Sequence, residues 1–506
     1  MKSKVTELSR RQFISTTAIS MSAFSIISPG VLGLNGRVSP NNKLTFALIG
    51  CGTQGLRELG GMLSRSDVQV IAVCDPNLES YDYVDWSRDG LRAEIANYLK
   101  QPDWKKGAPG IPGGRKIGQE IVELYYSQDK ASGSFKGCNS YEDFRELLEK
   151  EKDLDAVKIM TPDHLHATIA IAAMNKGKFT ATHKPLANYL NETRAVIKTA
   201  KTTKAVTYFL PAAAGEQVHV AAEWIRSGAI GKLQSIHNWT NRPVWPQYTK
   251  KPEDTPPIPA GFNWDLWLGP CLPIAYHPNY THAVFRGWYE FGGGAIADMG
   301  HYSLCRVFRE FKLEPPIWVE STPSHVCDVV GFVSRKIHND FSFPIASTVR
   351  FRFAASNDRP EIDIFWYDGG MRPATPDVLL NANKELPPEG IMYVGDRGMI
   401  LGGFLSENLI LFSGDKGEKP PQQIVAKAQE KMRSINWIDA FRQGKASEGD
   451  FLLAESITEA FNLAAISLRL GGKRLVWDSK NFKITNVDDA NKYLTRKYRS
   501  GWEIKV

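Results

Sequence analysis

The stretch TATHKPLANY sets Lys184 between His183 and Pro185, just past a short β-prone run. A lysine that is desolvated and flanked by charge titrates low enough to polarise or exchange a hydroxyl proton near neutrality. The competing reading is a solvated surface charge, the usual fate of lysine. A second polar pair stands in GGGAIADMGHY, where Asp298 precedes His301 by three residues. On a helix that spacing shares one face, so Asp298 can orient His301 and His301 can shuttle a proton. The preceding glycines let backbone approach a ligand closely, and the competing reading is a buried, satisfied histidine beside a helix cap. The third group is a turn, Gly50-Cys51-Gly52-Thr53-Gln54-Gly55, with Asp75 following 20 residues after Gly55. Glycines so spaced admit a tight turn, a pyrophosphate against the backbone and close helix–strand packing, while the acid accepts from ribose hydroxyls. Asp75 would repel a 2′-phosphate, which favours NAD over NADP.

These groups need elements to hold them. Leu44 to Ile49 is an apolar run before the glycine turn; Leu56, Leu59 and Met62 then recur at helical spacing, and Val68 to Val73 is a second apolar run ending at Asp75. This is strand, glycine turn, helix, strand, acid. Residues 78–137 carry no strong strand signal and read as a surface insertion with helical pieces near Arg92 to Leu99 and Ile117 to Tyr126. Alternation resumes with DAVKIMTP as a buried parallel strand, a helix from Asp163 to Lys176 closed by Gly177, and KFTAT as the next strand. Lys184 therefore falls at the carboxyl end of a parallel strand, where open α/β sheets bind ligands.

The second half opens with a segment rich in proline and aromatics that carries Trp245, Trp264, Trp267 and Trp288 with Tyr248, Tyr276, Tyr280 and Tyr289. Rings flanked by Arg, Asn and His suit sugars, whose CH faces stack while hydroxyls find polar partners; packing of a long loop is the competing use. Arg242, Trp245, Arg286 and Trp288 are the candidate substrate contacts here. Further on, EIDIFWYDGG and MYVGDRGMILGG read as strands, and the segment from Trp437 to Leu470 as two helices. No internal repeat or low-complexity segment appears.

At 506 residues the chain exceeds one ordinary core and implies two domains. The net charge is +7, of which about four units come from the first forty residues (Lys2, Lys4, Arg10, Arg11 and Arg37 against Glu7). The remaining basic residues are scattered, which argues against a nucleic-acid partner. None of the six cysteines forms a CxxC pair, so no metal site is expected and no disulfide is implied. The twin arginines Arg10 and Arg11, followed by Phe13, Ile14 and a short hydroxyl-rich apolar stretch, read as a twin-arginine export signal rather than a membrane span. An amphipathic N-terminal arm is the other reading. Export to the periplasm is expected, with a cytoplasmic enzyme as the alternative.

Together with the glycine turn, the segments TPDHLH, HKP, AAEWIRSGAIGKLQSIHNWTNRPVW, GFNWDLWLGP, HAVFRGWYEFGGGAIADMGHY and NWIDAFRQG resemble the Gfo/Idh/MocA oxidoreductases. The resemblance implies an α/β chain: a Rossmann dinucleotide-binding domain over 41–212, after a signal and linker over 1–40. A C-terminal α+β domain over 213–435 would follow, with a large open, mostly antiparallel sheet that mediates a homodimer or homotetramer. Helices over 436–506 would pack back toward the first domain. It also implies that Thr161, Pro162, His164, His166, His183 and Lys184 join Gly50, Gly52, Thr53, Gln54, Gly55 and Asp75 at the cofactor, and that Lys184, Asp298 and His301 are catalytic. The chain departs from the family twice. His183 replaces a glutamate, which should lower the lysine's pKa, and His301 follows Asp298 by three residues where the family has four. The implied activity is hydride transfer between NAD and a hydroxyl of a sugar or glycoside, with the cofactor tightly bound and recycled. The alternatives are an NAD-dependent glycosidase working by transient oxidation, elimination, hydration and re-reduction, and a non-catalytic sugar-binding protein.

Overall fold

The computed structural model describes residues 43–128, 135–357, 359–414, 416–432 and 436–504. The export signal and the expected domain boundary at 435 lie outside the described residues. Six strands form an all-parallel sheet: β1 (Leu44–Ile49), β2 (Val68–Cys74), β3 (Asn139–Tyr141), β4 (Ala156–Ile159), β5 (Phe179–Thr182) and β6 (Thr207–Phe209), in the order β3-β2-β1-β4-β5-β6. β4 is buried throughout and β1 from Phe46 onward. This explains their near-continuous apolar sequences, since helices cover both faces of such a sheet. The strand order reverses between β1 and β4, which opens a crevice at their carboxyl ends. Helix α1 (Thr53–Leu63) crosses from β1 to β2 and buries Leu56, Leu59, Met62 and Leu63 against the sheet. The helix expected from Asp163 begins as a 3₁₀ turn, Asp163–Leu165, before α2 (His166–Asn175); tightened first turns are common at helix ends. α3 (Leu190–Thr203) leads to β6.

Among its described residues, the 78–137 insertion contributes no strand to the sheet. Its helices are Gly90–Tyr98 and Arg115–Ser127, and bridges from Ser80 to Gly113 and from Asp82 to Ile111 fold its first part back on itself. That fold carries Tyr83, Val84 and Trp86 over the crevice.

The second domain is built on ten strands. They are β7 (Leu233–Trp239), β8 (Trp318–Pro323), β11 (Ser347–Phe353), β12 (Ile362–Tyr367), β13 (Gly390–Gly395), β14 (Met399–Gly402), β15 (Ile410–Phe412), β16 (Gly417–Glu418), β17 (Leu475–Asp478) and β18 (Lys483–Ile484). Only β7 and β12 run parallel within it. β11 shows how one face is committed to the core: Val349, Phe351 and Phe353 are buried while Thr348, Arg350 and Arg352 between them are not. On the inner face Phe353 meets Phe308 of α4 (His301–Glu310), and Phe351 meets Phe461 of α5 (Glu455–Arg469). The stretch Phe451–Arg469 is long and apolar enough to cross a membrane, but 72% of it is buried in this core, as befits a central helix. A separate hairpin, β9 (Cys327–Val330) with β10 (Val333–Lys336), stands out from the sheet with Phe332 exposed at its tip. All six cysteines are free.

Candidate active site

One cavity of about 290 Å³ runs from the glycine turn to Lys184 and on to the loops of the second domain. Its cofactor end is set by backbone geometry. Gly50 adopts φ +102°, and a Cβ there would sit 2.5 Å from the Met160 carbonyl carbon. A Cβ on Gly55 would collide with the Gly50 carbonyl oxygen, so both positions demand glycine. Gly52, Thr53 and Gln54 line the cavity, and α1 begins there without a side-chain cap, so its first turn faces the space. An uncapped helix N-terminus of this kind fits a pyrophosphate. Asp75 also lines the cavity; its carboxylate accepts from the Cys51 amide at 2.7 Å and the Asn77 amide at 2.8 Å. These bonds fix its orientation, while burial pushes its pKa above the ordinary carboxylate value. The residues present thus fit a dinucleotide. Thr161 and Pro162, at the end of β4, continue the wall.

Lys184 and Asp298 meet at the far end. Lys184 Nζ donates to Asp298 Oδ1, and both side chains are almost fully buried. Arg286 Nε lies 3.2 Å from the same oxygen but is not aligned for a hydrogen bond. Burial pulls the Lys184 pKa below its ordinary value, and Asp298 opposes that shift. Burial would raise Asp298, but Lys184 and Arg286 outweigh it and hold the carboxyl below its ordinary value. Two cations therefore share one anion, in a place where an alkoxide would be stabilised.

The structure separates several residues that the sequence grouped. His301 is fully buried outside the cavity wall, with its ring 4.7 Å from that of Phe461 and 5.3 Å from that of Phe209. Its Nδ1 lies 2.8 Å from the Ala297 carbonyl, not against Asp298, and its Nε2 has no partner among the described residues. The cause is local: Ile296–Gly300 is a π-helical turn, wider than an α turn. The residue three on from Asp298 swings into the core, and Tyr302, four on, faces the cavity. Of the histidines expected at the cofactor, only His183 lines the cavity. His166 bridges the Pro185 carbonyl at 2.6 Å and the Thr161 carbonyl at 2.9 Å, clamping the two strand ends together. His164 Nε2 lies 2.8 Å from the Trp267 carbonyl. Neither ring is free to meet a cofactor.

Among the substrate candidates, Arg242 and Arg286 line the cavity and the two tryptophans do not. Trp288 packs in an aromatic cluster with Trp264, Trp267, Tyr276 and Tyr280, its Nε1 donating to the Asn279 carbonyl at 2.7 Å. Trp245 is buried behind Arg286, whose guanidinium carbon lies 5.9 Å from the ring. Side chains the sequence did not single out take their places: Tyr83, its ring tilted against that of His282 with centroids 4.0 Å apart, and the exposed Trp86, over which Arg242 lies at 5.3 Å. Nothing local marks Tyr83 or Trp86, because the insertion's fold alone brings them here. Tyr302 did carry a signal, since the four-residue spacing of the Asp–His pair in the resembled family lands on it.

Residues 44–210 match the NAD-binding Rossmann fold of an oxidoreductase family, and residues 228–339 match the C-terminal α/β domain of the same family. The chain belongs to the Gfo/Idh/MocA oxidoreductases. Its first domain is accordingly an NAD-binding domain. A levoglucosan dehydrogenase of Pseudarthrobacter phenanthrenivorans is 31% identical over 166 residues, covering 31% of this chain and 40% of that protein. A glycosyl hydrolase family 109 protein of Stenotrophomonas maltophilia is 26% identical over 227 residues, 45% of this chain and 40% of that one. The chain thus matches about two-fifths of the length of these curated relatives. The WlbA dehydrogenase of Bordetella pertussis, solved with NADH and UDP-GlcNAcA, superposes with a TM-score of 0.51 at 14% identity, over 87% of this chain and 99% of that one. That likeness concerns the fold.

Proposed function

We propose that the protein transfers hydride between NAD and a ring hydroxyl of a sugar or glycoside, holding its cofactor and recycling it with a second carbohydrate. The observation that carries this is the buried Lys184–Asp298 pair, in the same cavity as the glycine turn and Asp75. Bound NAD would supply the hydride acceptor. Gly52 would let its pyrophosphate approach the backbone, Gly50 and Gly55 hold the turn and helix that would receive it, and Asp75 would accept from its ribose hydroxyls and disfavour a 2′-phosphate. Lys184 and Arg286 stabilise negative charge on the substrate oxygen as the C–H bond breaks, and Asp298 keeps the two cations aimed there. Arg242 and Trp86 offer a polar contact and a flat ring for a sugar at the mouth of the cavity. Similarity to a levoglucosan dehydrogenase supports a carbohydrate substrate. Recycling is part of the proposal because Arg10 and Arg11 read as a twin-arginine export signal, and an exported enzyme would meet no pool of free NAD.

Similarity to glycosyl hydrolase family 109 proteins favours a second reading, in which the hydride returns to the same sugar after a glycosidic group has been eliminated. One experiment separates the two. The purified protein is denatured to measure NAD released per chain, and the intact protein is offered a panel of glycosides. Near-stoichiometric NAD with glycoside-dependent reduction of nicotinamide supports the oxidoreductase. Free sugar without net reduction supports the glycosidase. A protein that neither contains nor binds NAD would refute both.

A further inference from the structure

The first limb of the 78–137 insertion does more than line the cavity, because it is tied to both domains. On the first-domain side it is held by α1 and by the segment after β2. Arg57 Nη2 donates to Asp85 Oδ2 at 2.7 Å, and the Asp85 side chain is almost fully buried. Asn77 Nδ2 donates to Ser80 Oγ at 2.9 Å and to Tyr83 Oη at 3.3 Å, and the Asn77 backbone amide is one of the two that orient Asp75. On the second-domain side the limb meets His282. The two ring centroids, of Tyr83 and His282, are 4.0 Å apart, and His282 Nε2 lies 3.3 Å from Asp82 Oδ1. His282 takes φ +51°, a left-handed conformation that side chains with a Cβ rarely adopt, so its surroundings impose the placement. Between these anchors the Tyr83 ring lies against the glycine turn. A Cβ on Gly52 would come 3.3 Å from Tyr83 Cε1, and a Cβ on Gly113 would come 2.3 Å from Tyr83 Cε2. Gly113 sits in the returning limb, GAPGIPGGRK, and its bridge to Ser80 holds it against the ring.

We propose that residues 80–86 are a strap that keeps the dinucleotide resident, with Tyr83 as its cover over the glycine turn and His282 as its latch in the second domain. The ring is seated between two glycines and pressed by a residue of the other domain, so it cannot swing aside without parting from His282. A dinucleotide on the turn therefore enters or leaves only when the strap lifts. The mouth of the cavity is left open, since Trp86, three residues further along the strap, is exposed there. Carbohydrates can then exchange while the cofactor stays, which is what recycling between two carbohydrates demands. The keying of Tyr83 to Asn77, and of Asn77 to Asp75, ties the cover to the acid expected at the ribose. The inference rests on the reading of this cavity as the site of a held and recycled NAD.

The test follows NADH by its fluorescence in stopped flow, on the full chain. Release is read by mixing loaded protein with excess NAD, and entry by mixing cofactor-stripped protein with NADH. Tyr83→Ala removes the cover and Tyr83→Phe keeps its ring. His282→Asn removes the latch from the other domain with a residue that tolerates a left-handed backbone. Tyr83→Ala and His282→Asn should each speed release about fivefold to tenfold, as expected for the loss of one aromatic contact. Both should speed entry as well, since a strap obstructs both directions, so affinity falls by less than release accelerates. Tyr83→Phe should release NADH within about twofold of wild type, because the ring and not the hydroxyl is the cover. The proposal is overturned if release stays within about twofold of wild type in both Tyr83→Ala and His282→Asn, or if it quickens while entry is unchanged, which would make Tyr83 a simple contact. If Tyr83→Ala does not fold, His282→Asn decides by the same two rates. A wild type that binds no NADH overturns the cofactor reading and the strap together, whereas NADH binding with unaltered release in the variants overturns the strap alone.

Discussion

At the scale of single residues, identical chemistry has opposite uses according to where the backbone points it. His183 and His301 are both buried imidazoles flanking the Lys184–Asp298 pair in sequence, yet one faces the cavity and the other an aromatic core. Burial drives the His301 pKa down to about 3 from an ordinary 6.5, and His164 behaves alike. Each folded-state pKa lies below the unfolded one. The stability tied to these neutral rings is therefore fully present above pH 6.5 and drains as pH falls toward 3. Each histidine contributes a slope of about 1.4 kcal/mol per pH unit across that window. His301→Leu should therefore flatten the acid limb of stability by about one proton's worth while leaving NAD affinity within about threefold of wild type. Urea unfolding at pH 4 and pH 6 reads the first, and a cofactor titration reads the second. A variant that loses NAD binding while still folded would put His301 back into the site.

At the scale of elements, the substrate end of the cavity is made by pieces that are not regular structure. The segment carrying Tyr83, Val84 and Trp86 belongs to an insertion folded back by two isolated bridges, and the loop carrying Phe285 and Arg286 is a run of 3₁₀ turns packed on an aromatic cluster. The rigid parts hold the cofactor, and the loops present the sugar-facing surface. Trp86 is 58% exposed yet lies under the Arg242 guanidinium at the cavity mouth. Trp86→Ala should raise KM for the best glycoside about tenfold, in keeping with the loss of one aromatic contact of about 1 kcal/mol or slightly more. NAD affinity and thermal midpoint should stay put. Equal losses in NAD and glycoside binding would instead mean that Trp86 props up the whole mouth.

At the scale of the whole molecule, the C-terminal tail holds the two domains together. Arg496 reaches back to Glu192 of α3 at 2.7 Å with both side chains nearly fully buried; Tyr498 donates to the same carboxylate, and Arg496 also contacts Cys271. Burial pushes the Glu192 pKa up in spite of Arg496, so a lone carboxyl there is costly. Arg496→Met should destabilise the protein by about 3–5 kcal/mol, and the double variant with Glu192→Gln should recover a large share, because what hurts is the orphaned charge. Denaturant midpoints of the two variants give the answer; an equal loss in both would mean that packing of the arginine stem, not charge, holds the tail.

The local pattern of the sequence was enough to place the glycine turn, Asp75, the parallel strands and Lys184 at a strand end, because each follows from apolar periodicity and turn chemistry within about thirty residues. Aromatics in the 241–291 stretch were visible, but their sorting into core and cavity was not. That depended on which way a loop without strand or helix period runs. Only the tertiary structure decided that Tyr302 rather than His301 meets the cavity. A five-residue π turn shifts the face of a helix, and no local composition announces it; the one trace was the resembled family's four-residue spacing, which lands on Tyr302. Only the fold, too, brings Tyr302 to His183 and Trp86 to Arg242, since such pairings arise when two domains close on one crevice and leave no periodic trace in the chain.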